Sequence, residues 1–168
     1  MTPWLVTWFN AVFSAAVVLA TSSLANAATY SNVRYGYWVS YPDDALVAEP
    51  EADAGDGRAF HARHGTAKMS VWATWNLHDN AVDQSPRGVA REAAMDCANQ
   101  ALPYRVVKRT FVALSCVTPK GSVIYQKTLI SKDVLTSVRF EYPSAEKAHW
   151  DDVVKSVAAT LQQGGPAQ

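Results

Sequence analysis

The chain has no excess of charge. Its 168 residues hold 15 Lys and Arg against 15 Asp and Glu, so no general electrostatic pull draws it to nucleic acid or to an anionic membrane, and neither is an expected partner. Catalytic signatures are also missing. There is no G-x-S-x-G, no H-E-x-x-H, and no cysteine set beside a histidine in a nucleophile pattern, which leaves no hydrolase motif to build on. Nothing pairs Glu141 with Asp79 as acid and base. The four histidines, His61, His64, His78 and His149, are dispersed. His61 and His64 stand three apart on or beside a strand and at period two point to opposite faces, so they make poor joint metal ligands. No cofactor is implied. Internal repeats are absent, and only Cys97 and Cys116 represent cysteine.

Charge is missing altogether from the start of the chain, where Arg34 is the first charged side chain. The uncharged run from Met1 to Asn32, its apolar centre from Ala11 to Ala20, and the small residues of Ala25-Asn26-Ala27 before Ala28 read as an export signal over residues 1–27. No twin-Arg pair precedes the apolar run, and no cysteine near residue 27 offers a lipid attachment point. The expected location is periplasmic or secreted, with no stable membrane association after cleavage. The n-region MTPW lacks Lys and Arg, and Trp4 to Ala20 is long for a signal. An uncleaved anchor is therefore the alternative, since about 20 apolar residues span a bilayer. Removing the signal leaves residues 28–168, enough for one domain with a core.

An even cysteine count in an oxidising compartment predicts a Cys97–Cys116 disulfide, with two buried thiols as the alternative. Closing a loop of about 20 residues is worth roughly 3 kcal/mol in the chain-entropy model.

Residues Val33 to Tyr41 alternate at strand period, and Pro42 with Asp43-Asp44 ends that strand. The stretch 48–57, AEPEADAGDG, is too polar and too interrupted by Pro and Gly to pack, and is expected as a solvated loop. Arg58–Arg63 and Ala67–Trp75 read as a hairpin pair joined by His64-Gly65-Thr66. Ser85-Pro86 starts a helix whose stripe runs through Val89, Ala90, Ala93, Ala94, Cys97 and Ala101. Four strands follow, over 104–109, 111–118, 122–131 and 134–142, the last buried on one side. Pro143-Ser144 caps a second helix, with Trp150, Val153, Val154, Val157, Ala158 and Leu161 on one stripe. Residues 162–168 read as a flexible tail. The order β-β-β-α-β-β-β-β-α, with no βαβ alternation, predicts an α+β fold: a largely antiparallel sheet flanked by helices, in a single domain over residues 28–161.

That order, with YGYWVSYP near the mature start, a GDGR-x-F turn, a meander ending in VRFEYP and a terminal amphipathic helix, resembles the PsbP-like fold family, and in particular its small secreted bacterial members. The resemblance covers most of residues 33–161 and rests on Tyr35, Gly36, Tyr41, Pro42, Gly55, Gly57, Arg58, Phe60, Tyr142 and Pro143. It implies a PsbP-like α/β/α sandwich without enzymatic activity. Photosystem II members of the family are thylakoid accessory proteins, and none of the matched residues carries that role. Cytoplasmic adaptor-like members also exist, against which the signal argues.

Two surfaces stand out as candidates. Residues Arg34 to Gly57 hold six acids against one base, and Glu51, Asp53 and Asp56 offer hard oxygen ligands for calcium, although their spacing is not that of an EF-hand loop. Trp38 and Trp72 fall on the strand faces expected to be less buried. With Glu49, Glu51, Asp53, Asp56, Arg58 and Arg63 they form the candidate surface for a periplasmic or extracellular protein partner. The plainer alternative is that helices cover both sheet faces and make the aromatics core. The functional expectation is an exported non-catalytic protein that binds another macromolecule as an accessory, inhibitor or immunity-type factor. The alternative is an enzyme or small-ligand binder whose pocket, between sheet and helix, is assembled only in three dimensions. Oligomeric state has no signal in the sequence.

Overall fold

The computed structural model describes residues 27–77, 84–97 and 101–164. The expected export signal up to residue 26, His78, Asp79 and the last four residues of the expected tail lie outside the described residues. Five strands precede the first helix, rather than the three expected: β1 (Ala27–Asn32), β2 (Tyr37–Pro42), β3 (Leu46–Glu51), β4 (Gly57–Ala62) and β5 (Lys68–Trp75). Helix α1 (Pro86–Ala93) leads through a 3-10 turn, Met95–Cys97, to β6 (Tyr104–Val107), β7 (Phe111–Val117), β8 (Ser122–Ile130) and β9 (Val134–Pro143). Helix α2 (Lys147–Thr160) and the two-residue β10 (Gln162–Gln163) close the chain.

Two of these strands correct the reading of the sequence. The expected strand over 33–41 is a turn followed by β2: Gly36 has φ 63°, Asn32 Oδ1 accepts from the Tyr35 amide, and Val33 is 95% exposed. Tyr35 continued the alternation across that turn because it packs on Trp75, with ring centroids 4.8 Å apart. The expected solvated loop 48–57 instead contributes β3, which pairs with β4 through a register shift between Ala48 and Glu51. As an edge strand it tolerates Pro50, which has no donor to offer a neighbour.

The strands form a seven-stranded antiparallel sheet ordered β3-β4-β5-β9-β8-β7-β6 and a small sheet ordered β1-β2-β10. Helix α2 and the small sheet cover one face of the large sheet, over a core containing Tyr37, Phe60, Met69, Val71, Phe140 and Trp150. Helix α1 lies on the other face, where Ala93, Cys97, Leu114, Cys116 and Ile124 form one cluster and Val89, Ala90, Val112 and Leu135 another. The Cys97–Cys116 disulfide is present, tying the 3-10 turn to β7. Leu135 through Val138 are all buried, Leu135 against helix α1, Ser137 on the Thr128 hydroxyl, Thr136 under Gln163 and Val138 in the core beneath α2, which replaces the expected one-sided pattern.

Helix ends follow local chemistry in one case and depart from it in the other. Ser85 Oγ accepts from the Gly88 amide at 3.2 Å and Pro86 holds the first turn of α1. The helix stops at Ala93 so that Cys97 can reach β7, and Ala101 is exposed instead of continuing the stripe. The expected Ser144 cap is replaced by a 3-10 turn, Ser144–Glu146, ahead of α2. The expected tail is pinned through Gly164: β10 pairs with β2, and the Gly164 amide donates to Gly36 O at 2.7 Å. Among the described residues no helix is long and apolar enough to cross a membrane.

Candidate functional site

The acidic stretch is structural where it was expected to be free. Glu51 Oε1 accepts from Tyr30 Oη at 2.8 Å and from Asn32 Nδ2 at 3.0 Å, and Asn32 also donates to Gly55 O. The Arg58 guanidinium lies 4.8 Å from the Tyr30 ring centroid, opposite Glu51 in the β3–β4 register. Arg34 donates to Ala54 O, and Tyr37 Oη donates to Asp56 O at 3.0 Å. These contacts latch the small sheet onto the β3–β4 turn that carries Asp53 and Asp56. Burial raises the pKa of Tyr30 and Tyr37 above the ordinary tyrosine value. Glu51 thus serves two donors from β1. Among the described residues no group of three His, Cys, Asp or Glu side chains is placed to hold a metal.

The candidate partner residues do not meet on one surface. Trp38 is half-buried on β2, facing away from Tyr37 and Val39, which point into the core. Trp72 stands opposite Gly57 on β5, on the large-sheet face remote from the small sheet. Glu49 sits 3.3 Å from His61 Nδ1, and Arg63 Nε donates to Asp43 O at 2.7 Å beyond the other end of β4.

A different region forms a concavity. Helix α2 packs on β8, β9 and β2 and leaves the β6–β7 end of the same sheet face uncovered. The result is a cleft of about 600 Å³ between the helix flank and the sheet. Ala113 and Ser115 on β7 are small and give it depth, while Tyr104, Phe111, Tyr125 and Leu129 rise around them. The Tyr104 and Tyr125 rings lie 21° from parallel with centroids 6.2 Å apart. Burial, with Tyr104 beside it, pushes the Tyr125 hydroxyl up to about 12. Lys127 projects into this apolar setting, opposite Ala113, and its Nζ donates to Ala158 O in the last turn of α2 at 2.6 Å. Burial lowers its pKa. At the mouth, Asp151 accepts from Tyr142 Oη at 3.1 Å and from Lys147 Nζ at 2.5 Å. Among the described residues that line the cleft, none is a histidine beside Ser115.

Comparison with known proteins separates fold from function. No family model matches the sequence, and no curated protein matches it. The solution structure of cyanobacterial PsbP (CyanoP) from Synechocystis sp. PCC 6803 aligns with a TM-score of 0.60. The match spans 85% of this chain and 95% of that one, at 12% sequence identity. The chain has a PsbP-like fold.

Within the PsbP-like sandwich, the cleft was hidden from sequence reasoning because its walls come from β6, β7, β8 and α2, which meet only after folding. One signal was available. On β8 the register Val123, Tyr125, Lys127, Leu129 faces α2, and a lysine in an apolar register asks for a partner or a ligand. A second cleft of about 460 Å³ holds His64, His149, Asp44 and Asp152 beside Trp150. It brings together two histidines that lie far apart along the chain and share no motif.

Proposed function

We propose that this chain is an exported, single-domain, non-catalytic binding protein that holds a small amphipathic molecule in the cleft between β6–β8 and α2. The observation that carries the reading is the half-buried Lys127 ammonium in a cleft whose sheet side is mainly aromatic and aliphatic and whose helix flank adds Lys147, Asp151 and Lys155. Small-ligand sites have this composition, mainly apolar walls with a few placed polar groups, and volumes of roughly 300–1,000 Å³. The dispersal of Trp38, Trp72, Arg58, Arg63 and the acidic residues over separate faces weakens the reading as a macromolecular accessory or inhibitor. Export is supported by the Ala25-Asn26-Ala27 site and by the disulfide.

The test is titration of the mature protein with a neutral fluorescent probe, phenylnaphthylamine. Saturable one-to-one binding is expected, and Ser115→Trp or Ala159→Trp, which fill the cleft from β7 and from α2, abolish it. A probe that fails to saturate, or that binds both filled variants as well as the wild type, overturns the reading.

A further inference from the structure

The chemistry lining this cleft narrows the class of ligand, an inference that rests on the binding reading above. We propose that the cleft selects a molecule with an apolar chain or ring and a single carboxylate, and that Lys127 is the residue that reads the carboxylate.

Three observations carry this. First, the charge is one-sided: Lys127, Lys147 and Lys155 line the cleft against Asp151 alone. That acid already serves Lys147 and the Tyr142 hydroxyl, so the Lys127 side of the cleft keeps a positive potential. Second, Lys127 stands between Tyr125 and Leu129 along β8 and across from Ala113, so its stem rises among apolar neighbours and its half-buried Nζ reaches Ala158 O of α2. Third, an ammonium has three donors, and the contact to Ala158 O uses one. A carboxylate beside it would accept a charge-assisted bond from one of the remaining donors. Burial lowers the lysine's pKa, and an anion beside it would oppose that shift. With Lys147 held by Asp151 and Lys155 exposed on the helix flank, the one half-buried ammonium among apolar side chains matches a monoanion better than a phosphate dianion, which calls for several converging cations or an arginine fork.

A purely structural role predicts something else. Ala158 O lies among the last carbonyls of α2, and a cation there completes the helix end and complements its dipole. That role changes stability and leaves ligand preference untouched.

The experiment is displacement of bound phenylnaphthylamine by octanoate, octanol and octylammonium, three ligands with one chain and different heads. Octanoate is expected to bind at least ten-fold tighter than octanol, and octylammonium weakest; ten-fold is about 1.4 kcal/mol. Lys127→Gln keeps an N–H donor for Ala158 O, and Lys127→Met removes it. Both are expected to lose the preference for octanoate over octanol, whereas Lys155→Gln retains most of it. Equal affinity of octanoate and octanol in the wild type overturns the inference while leaving the cleft reading intact. So does a preference that survives Lys127→Gln, or that disappears in Lys155→Gln alone. Failure of the probe to bind the wild type at all removes the cleft reading and this inference with it.

Discussion

Gly57 gives the sharpest test of how the sheet is built. It opens β4 opposite Trp72, and a Cβ added there would sit 2.1 Å from Val71 O, 2.7 Å from Trp72 Cα and 2.8 Å from Trp72 Cβ. Two of those three atoms are backbone, so no rotamer change relieves the clash; β4 and β5 must move apart. Overpacking of this kind costs about 1–3 kcal/mol. Separation also strains the Ala73 amide bond to Asp56 O (2.9 Å), worth about 1 kcal/mol net. Gly57→Ala is therefore expected to lose about 2–4 kcal/mol, a large share of a typical domain stability of about 5–15 kcal/mol. Gly121 is the control: its φ is 82° and an added methyl would meet no neighbour within 4 Å, so alanine there costs about 1–2 kcal/mol of left-handed backbone strain. Urea unfolding followed by tryptophan fluorescence ranks the two. A Gly57→Ala variant as stable as Gly121→Ala would refute the close-approach argument.

Other expectations follow from separate contacts. Reduction, or the Cys97→Ala/Cys116→Ala pair, removes a cross-link spanning 19 residues and is expected to cost roughly 3 kcal/mol in urea unfolding; a loss under about 1 kcal/mol contradicts it. Ending the chain at Leu161 instead of Gly164 deletes the bonds from Gln163 Nε2 to Val134 O and Thr136 Oγ1 and from the Gly164 amide to Gly36 O, for about 2–3 kcal/mol by the same assay. Tyr30, Tyr37, Tyr125 and Tyr142 all have raised pKa values, so above about pH 10 the unfolded chain releases protons that the folded chain retains. Stability is expected to fall as pH rises through about 10 towards about 12, and Tyr125→Phe to flatten the fall; stability constant across that range, measured by urea midpoints, would exclude it.

Where local chemistry sets a boundary, the sequence was a good guide. The starts of β6, β7, β8 and β9 agree with expectation because Pro103, Pro119-Lys120-Gly121 and Lys132-Asp133 interrupt any other structure, and Gly121 has the positive φ its turn requires. The stripe of α2 from Trp150 to Leu161 was legible for the same reason: one amphipathic helix packs on one face. Failures came where a tertiary partner overrode local pattern. β1 follows an uncharged apolar run in the sequence, and its polar Thr29, Ser31 and Asn32 give little strand signal until β2 supplies a ladder. β3 was lost to Pro50 and to its acids, yet Glu51 is held by Tyr30 and Asn32 from 19 or more residues away. The cleft needed the depth given by Ala113 and Ser115 and the flank of α2 at once, and neither small residue signals a site by itself.

The most direct test of the cleft as the binding site is an amide chemical-shift map of the isotopically labelled mature protein, titrated with phenylnaphthylamine. Saturating shifts are expected, concentrated on Ser115, Tyr125, Lys127 and Ala159, with Trp38 and Trp72 unmoved. Shifts centred on Trp38, Trp72 or the β3–β4 turn, or none at all, would contradict it.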